Sequence, residues 1–143
     1  MPKLCNTGLK MNKISPYGRS PTRRQNLKLG NLGESIAADY LKKKGYRVIE
    51  RNCRSKWGEI DLVCNYGKEI VFVEVKARIG EQFGLPEDAV NKEKIKRLIK
   101  NSQAYMFYKA KNANMSYRID AICLVLDENM ELKRINHYEN ITL

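Results

Sequence analysis

Histidine is almost missing from this sequence, with His137 as its only copy, and the four cysteines (Cys5, Cys53, Cys64, Cys123) form no C-x-x-C pair. These shortages argue against a structural zinc site, which is built from clustered Cys and His ligands. No apolar run approaches the ~20 residues of a membrane-spanning helix. The basic amino terminus carries no hydrophobic segment, so a secretory leader is not expected and the expected compartment is the cytoplasm. Disulfides are not expected there. Cys53, Cys64 and Cys123 fall in apolar runs and are read as small buried hydrophobes. Acidic residues are absent from positions 1–27.

What is present begins with positive charge. The chain has 143 residues and a formal net charge of +11. That length suffices for one domain with a hydrophobic core. Excess Lys and Arg attracts polyanions, nucleic acid first and anionic membrane surfaces second. Residues 1–27 hold Lys3, Lys10, Lys13, Arg19, Arg23 and Arg24 with Pro2, Pro16 and Pro21. They bring too little apolar surface to offset ordering, so they read as a disordered basic arm. The arm is either a nucleic-acid-binding tail or a solvated extension. Residues 28–143 form the expected domain.

Hydrophobic spacing then sets the element order. Leu32, Ile36, Ala37, Tyr40 and Leu41 recur at helical spacing from Lys28, and Gly45 follows as a C-terminal signal. Strands are expected over about 46–54, 59–65 and 69–78, joined by turns too short for anything but antiparallel pairing. A loop at 79–86 precedes a helix expected from Asp88 to Ala110, with Ile95, Leu98, Ile99, Ser102, Tyr105 and Met106 inward. Strands at 116–126 and 131–137 complete the order α-β-β-β-α-β-β. The second helix is long enough for a parallel crossover, giving an α/β fold with a mixed central sheet and flanking helices.

The chemistry sits in Gly58-Glu59-Ile60-Asp61-Leu62-Val63 and Val71-Phe72-Val73-Glu74-Val75-Lys76. Strand interiors seldom hold Asp, Glu or Lys. Residues two apart share a strand face, so Glu74 and Lys76 lie together while Val71, Val73 and Val75 line the other side. Asp61 interrupts an apolar run, where a bare carboxylate is costly unless paired or bound to a cation. If the two strands pair, one site holds two carboxylates and an ammonium. That equipment suits a metal-dependent phosphodiesterase. Asp61, Glu74 and the carbonyl of Val75 would ligate Mg²⁺ or Mn²⁺, and Lys76 would orient water or stabilise charge at phosphorus. The ordinary alternative is a polar sheet face with Glu–Lys pairs.

Several motifs together resemble a known family. Gly30-x-x-Gly33-Glu34, Gly45-Tyr46, Arg51-Asn52-x-Arg54, the two strand motifs through Arg78, and Arg118-Ile119-Asp120 are similar to those of the YraN-like family of small bacterial proteins over residues 30–126. Such proteins look like members of the PD-(D/E)xK nuclease superfamily, with a restriction-endonuclease-like fold close to that of archaeal Holliday junction resolvases. The resemblance implies a metal-dependent endonuclease that cleaves DNA, at branched or single-stranded structures. It assigns Asp61 and Glu74 to the metal, Lys76 to catalysis, and adds Glu34 from the first helix as a further metal and catalytic residue. Ile60 stands where the superfamily often has proline. Relatives that cut junctions act as dimers, so a homodimer is an implied state.

Other residues carry two readings each. Trp57, beside Lys56, either stacks on an unpaired base or packs ordinarily. Lys92 and Lys96, on the Lys-rich helix, either track phosphate or form a solvated face, and Arg78 is a further candidate for nucleic-acid contact. Asp120 and Arg118 either line the cleft or form a structural ion pair. Glu59 is read as a salt-bridge or turn residue, on the argument that it projects away from Asp61. Gln103 with Phe107 or Tyr108 faintly resembles a helical signature of related nucleases. The rival functions are a nucleic-acid-binding protein without turnover and a protein-interaction module whose charged residues are a structural network.

Overall fold

A computed structural model describes residues 22–82, 84–110 and 115–142. Helix α1 (Arg23–Lys43) leads into strands β1 (Arg47–Ser55), β2 (Gly58–Tyr66) and β3 (Glu69–Ile79). A 3-10 turn (Pro86–Ala89), helix α2 (Lys92–Tyr105) and a π-helical turn (Met106–Ala110) precede strands β4 (Ser116–Leu126) and β5 (Leu132–Tyr138). The five strands form one sheet in the order β1-β2-β3-β4-β5. β3 and β4 pair in parallel and the other neighbours pair antiparallel, so the expected mixed sheet and its crossover are present. The helix–strand order is compatible with a nuclease-like fold.

Two boundaries differ from the sequence reading. Helix α1 begins at Arg23, ahead of the expected boundary at 27, so Arg23–Leu27 are helical. Local capping explains this: Thr22 Oγ1 accepts from the Gln25 N–H at 3.2 Å and Gln25 Oε1 accepts from the Thr22 N–H at 2.8 Å. Residues 1–21, which hold the rest of the arm, lie outside the described residues. The helix expected over 88–110 is divided, because Asn91 caps α2 through its side chain to the Lys94 N–H at 2.9 Å. At the other end of α1, Gly45 adopts φ +92°. Gly45 N–H and Tyr46 N–H there bond the carbonyls of Lys42 and Leu41, the pattern that closes a helix at a left-handed glycine.

The sheet separates two cores. Ala37, Ala38 and Leu41 of α1 pack on Leu62, Cys64, Val71, Val73, Val75, Ile122 and Leu124. On the opposite face Leu98 of α2 packs with Ile60, Val63, Phe72, Ile119 and Ala121. Cys53, Cys64 and Cys123 are buried free thiols, as their apolar surroundings suggested.

Gly33 lies tight against the sheet, where an added Cβ would be 2.9 Å from Ala77 Cβ and 3.4 Å from a Leu124 methyl. Gly33→Val is expected to push the helix off β3 and lower stability by about 1–3 kcal/mol, measured as a shift in urea midpoint at unchanged slope. The same approach carries the next residue, Glu34, toward the sheet.

Candidate metal centre

The site begins where β2 leaves β3. Their ladder ends at the pair Leu62–Val73, so Asp61 and Ile60 have no partners on β3. Strict alternation would place Ile60 and Leu62 in one core, yet they lie in opposite ones. The strand therefore bends at Asp61. On β1, Asn52 adopts φ +50° at the same level, between the pairs Arg51–Leu62 and Cys53–Ile60. Asn tolerates that left-handed conformation better than most residues. The Asp61 carboxylate takes over from the lost ladder, its Oδ2 accepting from the Val75 N–H at 2.8 Å. In an extended strand the N–H and C=O of one residue point the same way, so the Val75 carbonyl also faces the opening.

Three elements deliver carboxylates to this opening. Glu34 of α1 joins Glu59 and Asp61 of β2, and one oxygen from each lies within 4.8 Å of the others. The Asn52 amide, turned so that its NH₂ faces the negative groups, donates to Glu59 Oε1 at 2.8 Å and Glu34 Oε2 at 3.1 Å. Arg54 Nε pairs with Glu59 Oε2 at 2.9 Å. Glu74, only 2% exposed, adjoins this group without belonging to the tight cluster. Its Oε1 lies 3.6 Å from Lys76 Nζ and 3.3 Å from Lys94 Nζ. Its Oε2 is buried with no hydrogen-bond partner among the described residues.

Crowding shows in the protonation equilibria. Burial first, then the charges of Glu74 and Glu34, push the Asp61 carboxyl up to about 8, against the opposing Val75 N–H and Lys76. Glu34 is raised as well, by burial and by Glu59 and Glu74, with the Asn52 hydrogen bond opposing. A carboxyl whose folded-state pKa lies above its ordinary 3.8 gives stability at low pH that is lost as pH climbs through about 8. Asp61→Asn removes that loss. In chelator the variant is expected to melt above the wild type at pH 9. The gap should close as the pH falls toward 4, a trend that calorimetric melts across that range would reveal.

The expected site residues are thus brought to one end of the sheet, with a changed division of roles. Glu34 and Asp61 share the tight cluster, while Glu74 and Lys76 form an ion pair beside it. Glu59 forms the expected salt bridge, with Arg54, but the expectation that it projects away from Asp61 is corrected: it lies two residues from Asp61 and its carboxylate enters the cluster. The i, i+2 spacing was the signal that could have found it. Lys94 was not anticipated, since nothing in a helix crowded with lysines marks the one that packing turns inward.

Trp57 is partly exposed on the β1–β2 turn, with Lys56 and Lys100 ammonium groups 4.9 and 4.7 Å from its ring centroid. Lys92 and Lys96 are exposed on α2, and Arg78 is half-buried on β3, two residues beyond Lys76. Phe107 and Tyr108 are exposed on the π-helical turn. Asp120 is fully buried, ion-paired to Arg118 and hydrogen-bonded to His137, the structural alternative of its two readings. No helix among the described residues is long and apolar enough to cross a membrane.

Comparison with known sequences agrees with the motif resemblance. A protein of Caldanaerobacter subterraneus subsp. tengcongensis is 44% identical over 115 residues, covering 78% of this chain and 92% of that protein. A protein of Pelotomaculum thermopropionicum is 42% identical over 112 residues, covering 78% and 92%. One from Clostridium botulinum is 40% identical over 115 residues, covering 78% and 94%. All three carry the name UPF0102 protein. Residues 33–124, which hold Glu34, Glu59, Asp61, Glu74 and Lys76, match the profile of the same family, and the chain belongs to the family described as uncharacterised protein family UPF0102, the YraN family.

Proposed function

We propose that this protein is a divalent-metal-dependent endonuclease that hydrolyses DNA phosphodiester bonds, at branched or single-stranded structures. One observation carries the reading: Glu34, Glu59 and Asp61 hold oxygens within 4.8 Å of one another at a strand bend, beside Glu74 and Lys76. Burial first, then the charges of Glu74 and Glu34, raise the Asp61 pKa to about 8, and a cation would offset that cost of ionising Asp61. The donors are all oxygen, which favours Mg²⁺ or Mn²⁺ over softer metals. Glu34, Glu59 and Asp61 would hold the ion, with the Val75 carbonyl and the unpartnered Glu74 Oε2 adjoining. A bound ion would polarise the phosphoryl oxygen and lower the pKa of its water.

The chain's own groups supply the rest. Lys76, about one-third exposed, faces both the solvent and the Glu74 carboxylate, where it can orient a water or meet charge at phosphorus. Lys94 shares Glu74 and so keeps the buried carboxylate neutralised while Lys76 turns to substrate. The net charge of +11 favours a polyanionic substrate. The test is calorimetric titration with Mn²⁺ and Mg²⁺, followed by incubation with flapped, four-way and single-stranded DNA, with chelator as control. Saturable metal binding and metal-dependent product are expected. The absence of product on every substrate under both ions would overturn the reading.

One feature favours a second reading, a nucleic-acid-binding protein without turnover. Glu74 Oε1 already has two ammonium partners, at 3.3 and 3.6 Å, with which a metal must compete. That protein would bind DNA with a log–log salt slope of about 0.9 per phosphate contacted and release no product.

A further inference from the structure

The turn that carries Trp57 is anchored to α2, so the position from which its indole projects is set. The backbone N–H of Trp57 donates to Ser55 Oγ at 3.1 Å, and Ser55 Oγ donates to Asn101 Oδ1 at 2.7 Å. Asn101 is 3% exposed on α2, so the hairpin turn is fastened to the helix by a buried group. The ring remains 37% exposed. Lys100 reaches it from α2 and Lys56 from the turn itself. Lys92, Lys96 and Lys100 are all exposed and recur every four residues. At a rise of about 1.5 Å per residue they form a stripe with ~6 Å steps that ends at the indole. Lys94, between them, turns instead to Glu74. Two residues after Trp57 stands Glu59, a member of the carboxylate cluster.

We propose that Trp57, Lys56 and the Lys92–Lys96–Lys100 stripe form a binding site for an unpaired nucleic-acid strand, one of whose bases stacks on the indole next to the cluster. The exposed ring supplies a π-face that any base can use, and the ammonium groups supply charge for the flanking phosphates. In a continuous duplex the bases are already stacked on one another and leave no face for the indole. The site therefore selects single-stranded, flapped or branched nucleic acid over blunt duplex. An anionic membrane would engage the lysines equally but has no ring to place on the indole. The placement beside a cut rests on the nuclease reading, whereas the binding itself does not.

Trp57 is the sole tryptophan, so tryptophan fluorescence, excited at wavelengths that the eight tyrosines do not absorb, reports this site alone. The experiment titrates the full-length protein, in chelator, with an oligothymidylate of about 20 nucleotides, which exceeds the ~4–16 nucleotide sites typical of such surfaces. A relaxed, covalently closed circular duplex, which has neither ends nor unpaired loops, and phosphatidylglycerol vesicles are titrated in parallel. Saturable quenching by the single strand, with little change from the duplex or the vesicles, is expected. By anisotropy, Trp57→Ala should weaken single-strand affinity about tenfold and Trp57→Phe should restore most of it, since stacking survives in Phe. Lys100→Ala should lower the salt slope by about 0.7. Circular dichroism melts confirm that each variant is folded. Equal quenching by duplex or vesicles, or unchanged affinity in Trp57→Ala, overturns the proposal. Quenching without cleavage under any metal would uphold this site while removing the nuclease reading. Cleavage without quenching would do the reverse.

Discussion

Asp61→Asn is expected to abolish metal-dependent DNA cleavage, a loss of at least about 100-fold in rate, typical of removing a group that stabilises transition-state charge. The substitution keeps the side chain's shape and leaves Oδ1 able to accept from the Val75 N–H, the bond that replaces the broken ladder at 2.8 Å. What it removes is the anionic oxygen that Asp61 would present, on losing its proton, to a cation bound by Glu34, Glu59 and Asp61. Metal affinity, read by calorimetry, should fall together with rate. The usual objection, that an inactive variant is simply unfolded, is answered by the direction of the pKa shift. Burial and neighbouring carboxylates hold Asp61 up to about 8, so its charge opposes folding at alkaline pH and the Asn variant should be the more stable. Glu74→Gln offers the contrasting case. It keeps volume but leaves Lys76 and Lys94 without their shared counter-charge, so activity should fall with some loss of stability. Full activity in Asp61→Asn, at any stability, would detach the cluster from catalysis.

Much of this site was legible because it violates strand chemistry. Asp61, Glu74 and Lys76 stand in apolar runs where burial of charge needs a reason, and a period of two placed Glu74 and Lys76 on one face. The antiparallel meander followed from turn lengths, and the parallel crossover from a helix long enough to make one. Glu34 was reached through the family motif, because its helical position at the edge of the apolar stripe says little by itself. Other features have no local signature. Ile60-Asp61-Leu62 reads as regular alternation, and only the termination of pairing with β3 reveals the bend. That bend depends on tertiary fit, with Asn52 in a left-handed conformation at the same level. Lys94 is one of several lysines on α2, and the packing of α2 alone turns it toward Glu74. Asn91, by contrast, is a residue type that favours helix N-caps, a local signal that the expected helix start at Asp88 passes over.

The second large effect is structural and lies away from the cluster. Asp120→Ala is expected to destabilise the domain by about 3–5 kcal/mol, the cost of removing one partner from a buried ionic network. Asp120 is fully buried. Its Oδ2 meets His137 Nε2 at 2.8 Å and Arg118 Nη2 at 3.2 Å. Its Oδ1 accepts from Arg118 Nε at 3.0 Å and from the Asn140 N–H at 2.9 Å. Burial alone would raise this carboxyl, but the hydrogen bonds from His137, Arg118 and Asn140 overrule it and hold the pKa below its ordinary value. Alanine would leave the half-buried guanidinium with only Glu69 and Tyr46, at 2.8 and 2.6 Å, and would release the chain after β5. Asp120→Asn keeps part of the hydrogen bonding and should cost less, about 1–3 kcal/mol. For a carboxyl with a depressed folded-state pKa, stability is present above its unfolded value of 3.8 and is lost as the pH falls through the lower folded value. The difference between wild type and Asp120→Asn should therefore be full at pH 6 and shrink in acid below pH 4, which urea titrations at several pH values would measure. Metal binding by whatever fraction of the variant remains folded should be unchanged, because Asp120 is not among the clustered carboxylates. A variant that melts like the wild type yet binds no metal would place Asp120 in the site and overturn its structural assignment.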